Sequence, residues 1–320
     1  MCFGANDLQF EGKSMDGWLN LLTGRPEKIY APFPNDEMQR QALAAFKRMG
    51  SREYDYLVEQ LATETTNANI GITVAFKLAG TNAAPEIPKL IALFKRDEIV
   101  WAAIRCLVDI GTNSIPPLMH ALSDKDIKIR QGAANALGQI GPPAGVAVPL
   151  LLNKLKTEKT QVRCSIIASL GLINQYPEKV VPVLIQNLES DDVNIRGNTA
   201  FALIGFSRNT DAAAPGLFKL LKDSDENVRN NAAGAIMNMK LGKEYIPLLA
   251  TNASNPDAKV RSLIAQALGN QGAYTNEVFP ILLKLTKDPD RYVRESAGVT
   301  INQMGYKPPV DVVKLRGLYQ

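Results

Sequence analysis

One residue recurs at near-constant spacing, and that recurrence limits what this chain can become. Arg130, Arg163, Arg196, Arg229, Arg261 and Arg294 are separated by 33, 33, 33, 32 and 33 residues. Each follows an aliphatic residue, and most have an aspartate a few residues upstream: Asp126, Asp192, Asp225, Asp257 and Asp290. A second series keeps step with the first, at Pro117, Pro149, Pro182, Pro215, Pro247 and Pro280. Self-similarity at this period is the mark of a stacked array, in which no unit can bury its apolar face alone.

Each proline is expected to open an apolar helix, as at Val148 to Leu155, because a residue without an N–H suits a first turn. Each arginine opens a helix rich in small residues, as at Ala133 to Gly141. A unit therefore reads as helix A, a short acidic turn, and helix B. The Asp-x-x-Val-Arg turn and the Ala-Ala-x-Ala-Leu-Gly-x-Ile-Gly helix resemble HEAT repeats, particularly the short bacterial type also found in phycobilisome-lyase-like proteins. The resemblance runs from about Pro85 to Gly305. It implies an all-α fold, a right-handed α-α superhelix or α-solenoid, with A helices outside and B helices lining a concave face. Degenerate copies extend the array toward the N-terminus, with Val100 and Asn69 in the arginine slot and Gln39 to Gly50 as a first B helix. Ser14 is placed to cap the first A helix. The count comes to about nine hairpins in one array. Residues 1–13 are expected as a flexible lead, 14–307 as the solenoid and 308–320 as a C-terminal cap. The long Thr23–Asn35 loop, with three prolines, Tyr30 and Phe33, reads either as a cap over the end of the stack or as a binding loop.

Composition removes most chemistry. Hydrophobic residues at 46% and charged residues at 21% exclude general disorder. A net charge of +4 is too mild to announce nucleic acid or a membrane surface. Cys2, Cys106 and Cys164 offer neither a disulfide framework nor metal-ligand spacing. A lone histidine, His120, rules out a two-histidine metal site. No apolar run reaches the roughly 18 residues of a membrane span. No catalytic residue, metal or cofactor is expected. Reduced cysteines and the lack of an apolar signal core point to the cytoplasm, unless the N-terminus is truncated and the chain is exported or part of a larger protein. Oligomeric state has no signal here.

A feature repeated along the whole array specifies the scaffold, so the arginines are expected to bond a neighbouring unit's acid or helix-end carbonyls. Function has to be sought where the repeats differ. On the B helices these are the positions one, two, five and nine residues after each arginine, expected to face away from the A helices. Among the 24 residues at these positions only Glu295 is charged, and ten are Asn or Gln. A phosphate-binding groove would need Lys and Arg there, so nucleic acid is disfavoured. Side-chain amides donate and accept hydrogen bonds, which suits a protein or peptide partner. The expected contacts are Asn198, Phe201, Asn230, Asn231, Asn238, Gln266 and Asn270.

Trp101, Arg105 and Asp109 stand four apart and share a helix face. They read as an Arg105–Asp109 charge pair with a packed indole, or as a partner hot spot, where Trp and Arg are enriched. HEAT-like DNA glycosylases and tetrapyrrole lyases offer an enzymatic alternative at the same three residues. The chain lacks the basic, aromatic-lined cleft that would hold a flipped base. The leading reading is a non-enzymatic scaffold or adaptor that binds a protein on its amide-rich concave face. The alternatives are a lyase-like or glycosylase-like activity, or a structural module of a larger protein.

Overall fold

The computed structural model describes residues 8–23, 37–63, 67–206 and 211–305. Most of the 23–35 loop and the whole 308–320 cap expected above lie outside these residues. The chain divides into two compact units, residues 1–175 and 176–320. Each is an α-solenoid of consecutive helical hairpins.

In the first unit the hairpins are α1 (Met15–Thr23) with α2 (Glu37–Arg48), α3 (Ser51–Thr63) with α4 (Asn67–Ala79), and α5 (Ile87–Ala92) with α6 (Val100–Ile110). They continue with α7 (Ile115–Ala121) and α8 (Ile127–Ile140), then α9 (Val148–Leu155) and α10 (Thr160–Ile173). The second unit pairs α11 (Pro177–Asn187) with α12 (Val193–Gly205) and α13 (Ala214–Leu220) with α14 (Glu226–Asn238). Its last pairs are α15 (Ile246–Asn252) with α16 (Ala258–Gly269), and α17 (Thr275–Leu285) with α18 (Arg291–Gln303). These nine hairpins among the described residues match the sequence reading.

Two leucine series make the core. In five A helices the residue two after the proline is fully buried: Leu151, Leu184, Leu217, Leu249 and Leu282. In five B helices the residue seven after the arginine is buried: Leu137, Leu170, Leu203, Ile236 and Leu268. B helices also pack side by side, α4 on α6 and α6 on α8 in the first unit, and α12, α14, α16 and α18 in sequence in the second. Small residues permit the close approach. A Cβ on Gly138 would lie 2.8 Å from the Ser169 backbone, and one on Gly269 would lie 2.4 Å from a Thr300 methyl.

The prolines depart from expectation at two repeats. Pro149, Pro215 and Pro247 lie in the first turn of their helices, but Pro182 and Pro280 sit inside α11 and α17. A separate 3₁₀ turn precedes several A helices, as at Pro142–Ala147, Asp211–Ala213, Lys243–Tyr245 and Gly272–Tyr274. In α11 and α17 the helix begins earlier and runs through the proline, whose missing N–H leaves one first-turn carbonyl without its intrahelical partner.

The acidic turns are built as caps and clips. Asp126, Asp192, Asp225, Asp257 and Asp290 occupy the N-cap of their B helices and accept from first-turn N–H groups. Arg196 Nη1 donates to its own turn at the Ser190 and Asp191 carbonyls, while Nε and Nη2 reach Asp223 of the next repeat at 2.8 and 3.1 Å. Arg130 treats Glu158 in the same way, and Arg261 treats Asp288. At Arg229 the equivalent position is Asn255, whose amide instead bonds the Leu221 carbonyl, and the guanidinium shifts to the cap residue Asp257. Arg130, Arg196, Arg229 and Arg261 thus tie their repeats both to themselves and to their successors.

Of residues 1–13, expected as a flexible lead, residues 1–7 lie outside those described. Residues 9–14 form a two-stranded antiparallel hairpin with Phe10 opposite Lys13. Glu11 and Gly12 both take positive φ, the requirement of a tight two-residue turn. The hairpin is pinned by Trp18 Nε1 donating to the Phe10 carbonyl at 2.8 Å and by the Arg48–Glu11 pair. Ser14 caps α1, accepting from Gly17 N–H at 3.1 Å.

Candidate functional site

The first unit carries a pocket of about 410 Å³ on its B helices. Thr73 of α4, Trp101 and Arg105 of α6 and Gln139 of α8 rim it, and Ala102, Ile104 and Val108 supply apolar walls. Trp101 is 61% exposed, unlike the packed indole of one sequence reading. Nor does the expected Arg105–Asp109 pair form: among the described residues Arg105 makes no hydrogen bond or ion pair. The two groups interact only through space. Burial pushes the Asp109 carboxyl above the usual carboxylate range, and the Arg105 and Lys77 charges pull it partly back. Beside them Cys106 is fully buried, its thiol pushed well up by desolvation, so it packs as a small apolar side chain.

In the second unit the sequence-chosen residues divide by depth. Phe201, Asn238, Gln266 and Asn270 are exposed, whereas Asn198, Asn230 and Asn231 are half-buried. Much of their amide capacity is already committed. Asn198 and Asn238 donate back to the Asn194 and Gly234 carbonyls one turn earlier, both at 2.8 Å, and Gln266 reaches back to Ser262. Asn231 donates across to Gly197 O on α12 at 3.0 Å, and Asn270 to Met237 O on α14. The amides therefore spend an N–H donor on the scaffold and retain the side-chain oxygen as an acceptor. Asn230 Oδ1 is buried and accepts no bond among the described residues.

The outward face is narrower than the sequence suggested. Positions nine after the arginine are exposed in all six repeats, from Gln139 to Gln303. Positions one and two after it include buried Gly132, Ser165, Gly197 and Ser262. These first-turn residues lie in the seams between neighbouring helices, as the Ser262–Ser296 hydroxyl contact at 2.7 Å shows.

Exposed large apolar side chains concentrate on the same helices. Trp101, Leu172, Val193, Phe201, Tyr292 and Val299 belong to B helices, against Val146, Tyr176 and Leu248 elsewhere among the described residues. A larger concavity of about 780 Å³ lies on the A-helix side of the second unit, between Phe218 and Lys219 of α13, Leu248 and Thr251 of α15, and the Glu189–Asp191 turn. Sequence reasoning missed it.

No described helix is long and apolar enough to cross a membrane, and no described group of three His, Cys, Asp or Glu side chains could hold a metal ion. The family model for HEAT repeats matches residues 87–171, 115–204, 181–269 and 246–320. No curated protein matches the sequence. Among solved structures, Kap121p aligns with a TM-score of 0.61 at 13% identity, over 83% of this chain and 35% of that one. The Escherichia coli protein YibA aligns with a TM-score of 0.52 at 18% identity, over 87% of this chain and 100% of that one. At such identities these are likenesses of fold alone. The family match spans residues 87 to 320, and with the nine described hairpins and their arginine clips this makes the chain a member of the HEAT-repeat family.

Proposed function

We propose that the protein is a non-enzymatic scaffold or adaptor that takes a protein or peptide partner on the exposed half of its B helices. The observation that carries this reading is the placement of six exposed large apolar side chains on B helices, among amide side chains that keep acceptor oxygens. An apolar group next to satisfied but incompletely used amides suits a polypeptide surface, with main-chain N–H groups to donate and side chains to bury. A phosphate backbone would find few cations there. Solenoids offer such extended surfaces as a consequence of stacking.

The test is affinity capture with the parent chain and a Phe201→Glu/Asn238→Arg variant, followed by mass spectrometry. Both positions are exposed, and neither side chain bonds another repeat. A protein retained by the parent and lost by the variant supports the reading. An identical set from both chains removes this face from consideration.

A further inference from the structure

We propose that the pocket between α4, α6 and α8 receives an extended acidic peptide in which a large apolar residue precedes an aspartate or glutamate by two positions. This deepens, and rests on, the reading of the B-helix face as a polypeptide-binding surface.

Two features of the pocket set the chemistry. Arg105 stands apart from the clip arginines. Arg130, Arg196, Arg229 and Arg261 each bond a carboxylate with the Nε edge and their own turn with Nη1. Arg105 is exposed at the pocket rim, and among the described residues its guanidinium holds no partner. A free fork of planar donors matches a carboxylate in bidentate fashion. Asp109 leaves this capacity open, since it stays out of bonding contact. Lys77, exposed on α4, also acts on Asp109 through space, so two cations face one internal anion. Trp101 supplies the second feature. Its exposed indole stands one turn before Arg105, beside Ala102, Ile104 and Val108. This apolar surface has no polar requirement except the indole N–H.

The spacing selects the motif. Residues four apart on a helix are separated by about 6 Å along its axis. Alternate side chains of an extended peptide project to one side about 6.8 Å apart. In a peptide running parallel to α6, an apolar side chain on Trp101 places the residue two further on over Arg105, with Thr73 and Gln139 within the same rim to meet the intervening main chain.

Two blocked pentapeptides test the proposal, acetyl-Gly-Phe-Ser-Glu-Gly-amide and its Glu→Gln analogue, titrated calorimetrically into the full chain with Trp fluorescence as a second readout. Trp18 is buried while Trp101 is exposed, so a blue shift that disappears in a Trp101→Phe variant reports this pocket. The expected result is at least tenfold tighter binding of the Glu peptide by the parent, about 1.4 kcal/mol. In an Arg105→Gln variant that preference should vanish while helicity and melting stay unchanged. Equal binding of the two peptides, no saturation at millimolar concentration, or displacement by a short single-stranded oligonucleotide would each overturn it. If neither peptide binds while Phe201→Glu/Asn238→Arg still abolishes capture, this pocket fails and the wider reading stands. If that variant also leaves capture intact, both fail.

Discussion

Arg261 closes on Asp288 with both edges of its fork, Nε to Oδ2 and Nη2 to Oδ1 each at 2.8 Å, while Nη1 holds its own turn at Asn255 and Pro256. Both side chains are largely shielded, at 12% and 8% exposure. A lysine carries the charge but cannot make this three-sided arrangement. Arg261→Lys should lower unfolding stability by about 2–3 kcal/mol, between the values for exposed and buried pairs. Urea titration followed by circular dichroism measures it, and a loss under about 0.5 kcal/mol would reduce the clip to an ordinary surface ion pair.

Acid should loosen the same contacts. The bonds from Arg196 and Arg261 hold the Asp223 and Asp288 carboxyls below the usual range. For Asp257 burial pushes upward, but Arg229 and the helix N–H groups outweigh it. A carboxylate with a depressed folded pKa stabilises above its unfolded value, near 3.9 for aspartate, and loses that contribution as pH falls through the folded value. Urea midpoints should therefore hold between about pH 7 and 5 and fall below about pH 4. Asp288→Asn should start lower and flatten that decline. Asp109 has the opposite sign: its raised carboxyl favours folding at low pH and loses that advantage as pH rises through its folded value.

Two helical glycines should respond in opposite directions. A methyl on Gly138 would meet the Ser169 backbone at 2.8 Å, whereas one on Gly234 would find only the Ile204 Cδ1 at 3.7 Å. Gly138→Ala is expected to cost about 1–3 kcal/mol through overpacking. Gly234→Ala should add up to about 1 kcal/mol from helix propensity. Thermal melts of the two variants separate the cases.

Helix α10 ends on Asn174 in the left-handed region, φ 49°, where other B helices use a glycine such as Gly111 or Gly141. Asn174→Ala should destabilise by about 1 kcal/mol and Asn174→Gly by less. Equal losses in the melts would argue that the backbone there relaxes freely.

The hairpins were legible because the 33-residue period, the leucine series and the Asp–Arg turn all name the same boundaries. Helix starts were less so: how far upstream of its proline an A helix begins depends on packing, and Pro182 and Pro280 carry no mark of it. At the pocket, four-residue spacing correctly grouped Trp101 with Arg105 but only permits an Arg105–Asp109 bond without enforcing it. The amides show a similar limit. Periodicity can say that Asn231 lies near the inner face, but its bond to Gly197 O depends on how closely α14 approaches α12, which no single residue encodes.

Because Arg130, Arg196 and Arg261 reach forward to the next turn and back to their own in the same way, and Arg229 does so through the cap residue of the next helix, the joint recurs with little change and the length of the chain becomes adjustable. Removing residues 197–229, one full period, would place Arg196 directly before Asn230 and within its register of Asp257. Arg196 would keep its bonds to the Ser190 and Asp191 carbonyls and inherit the carboxylate that Arg229 had held. A gene built on such interchangeable joints can gain or shed whole repeats by unequal recombination, and so alter its reach without redesigning a single contact.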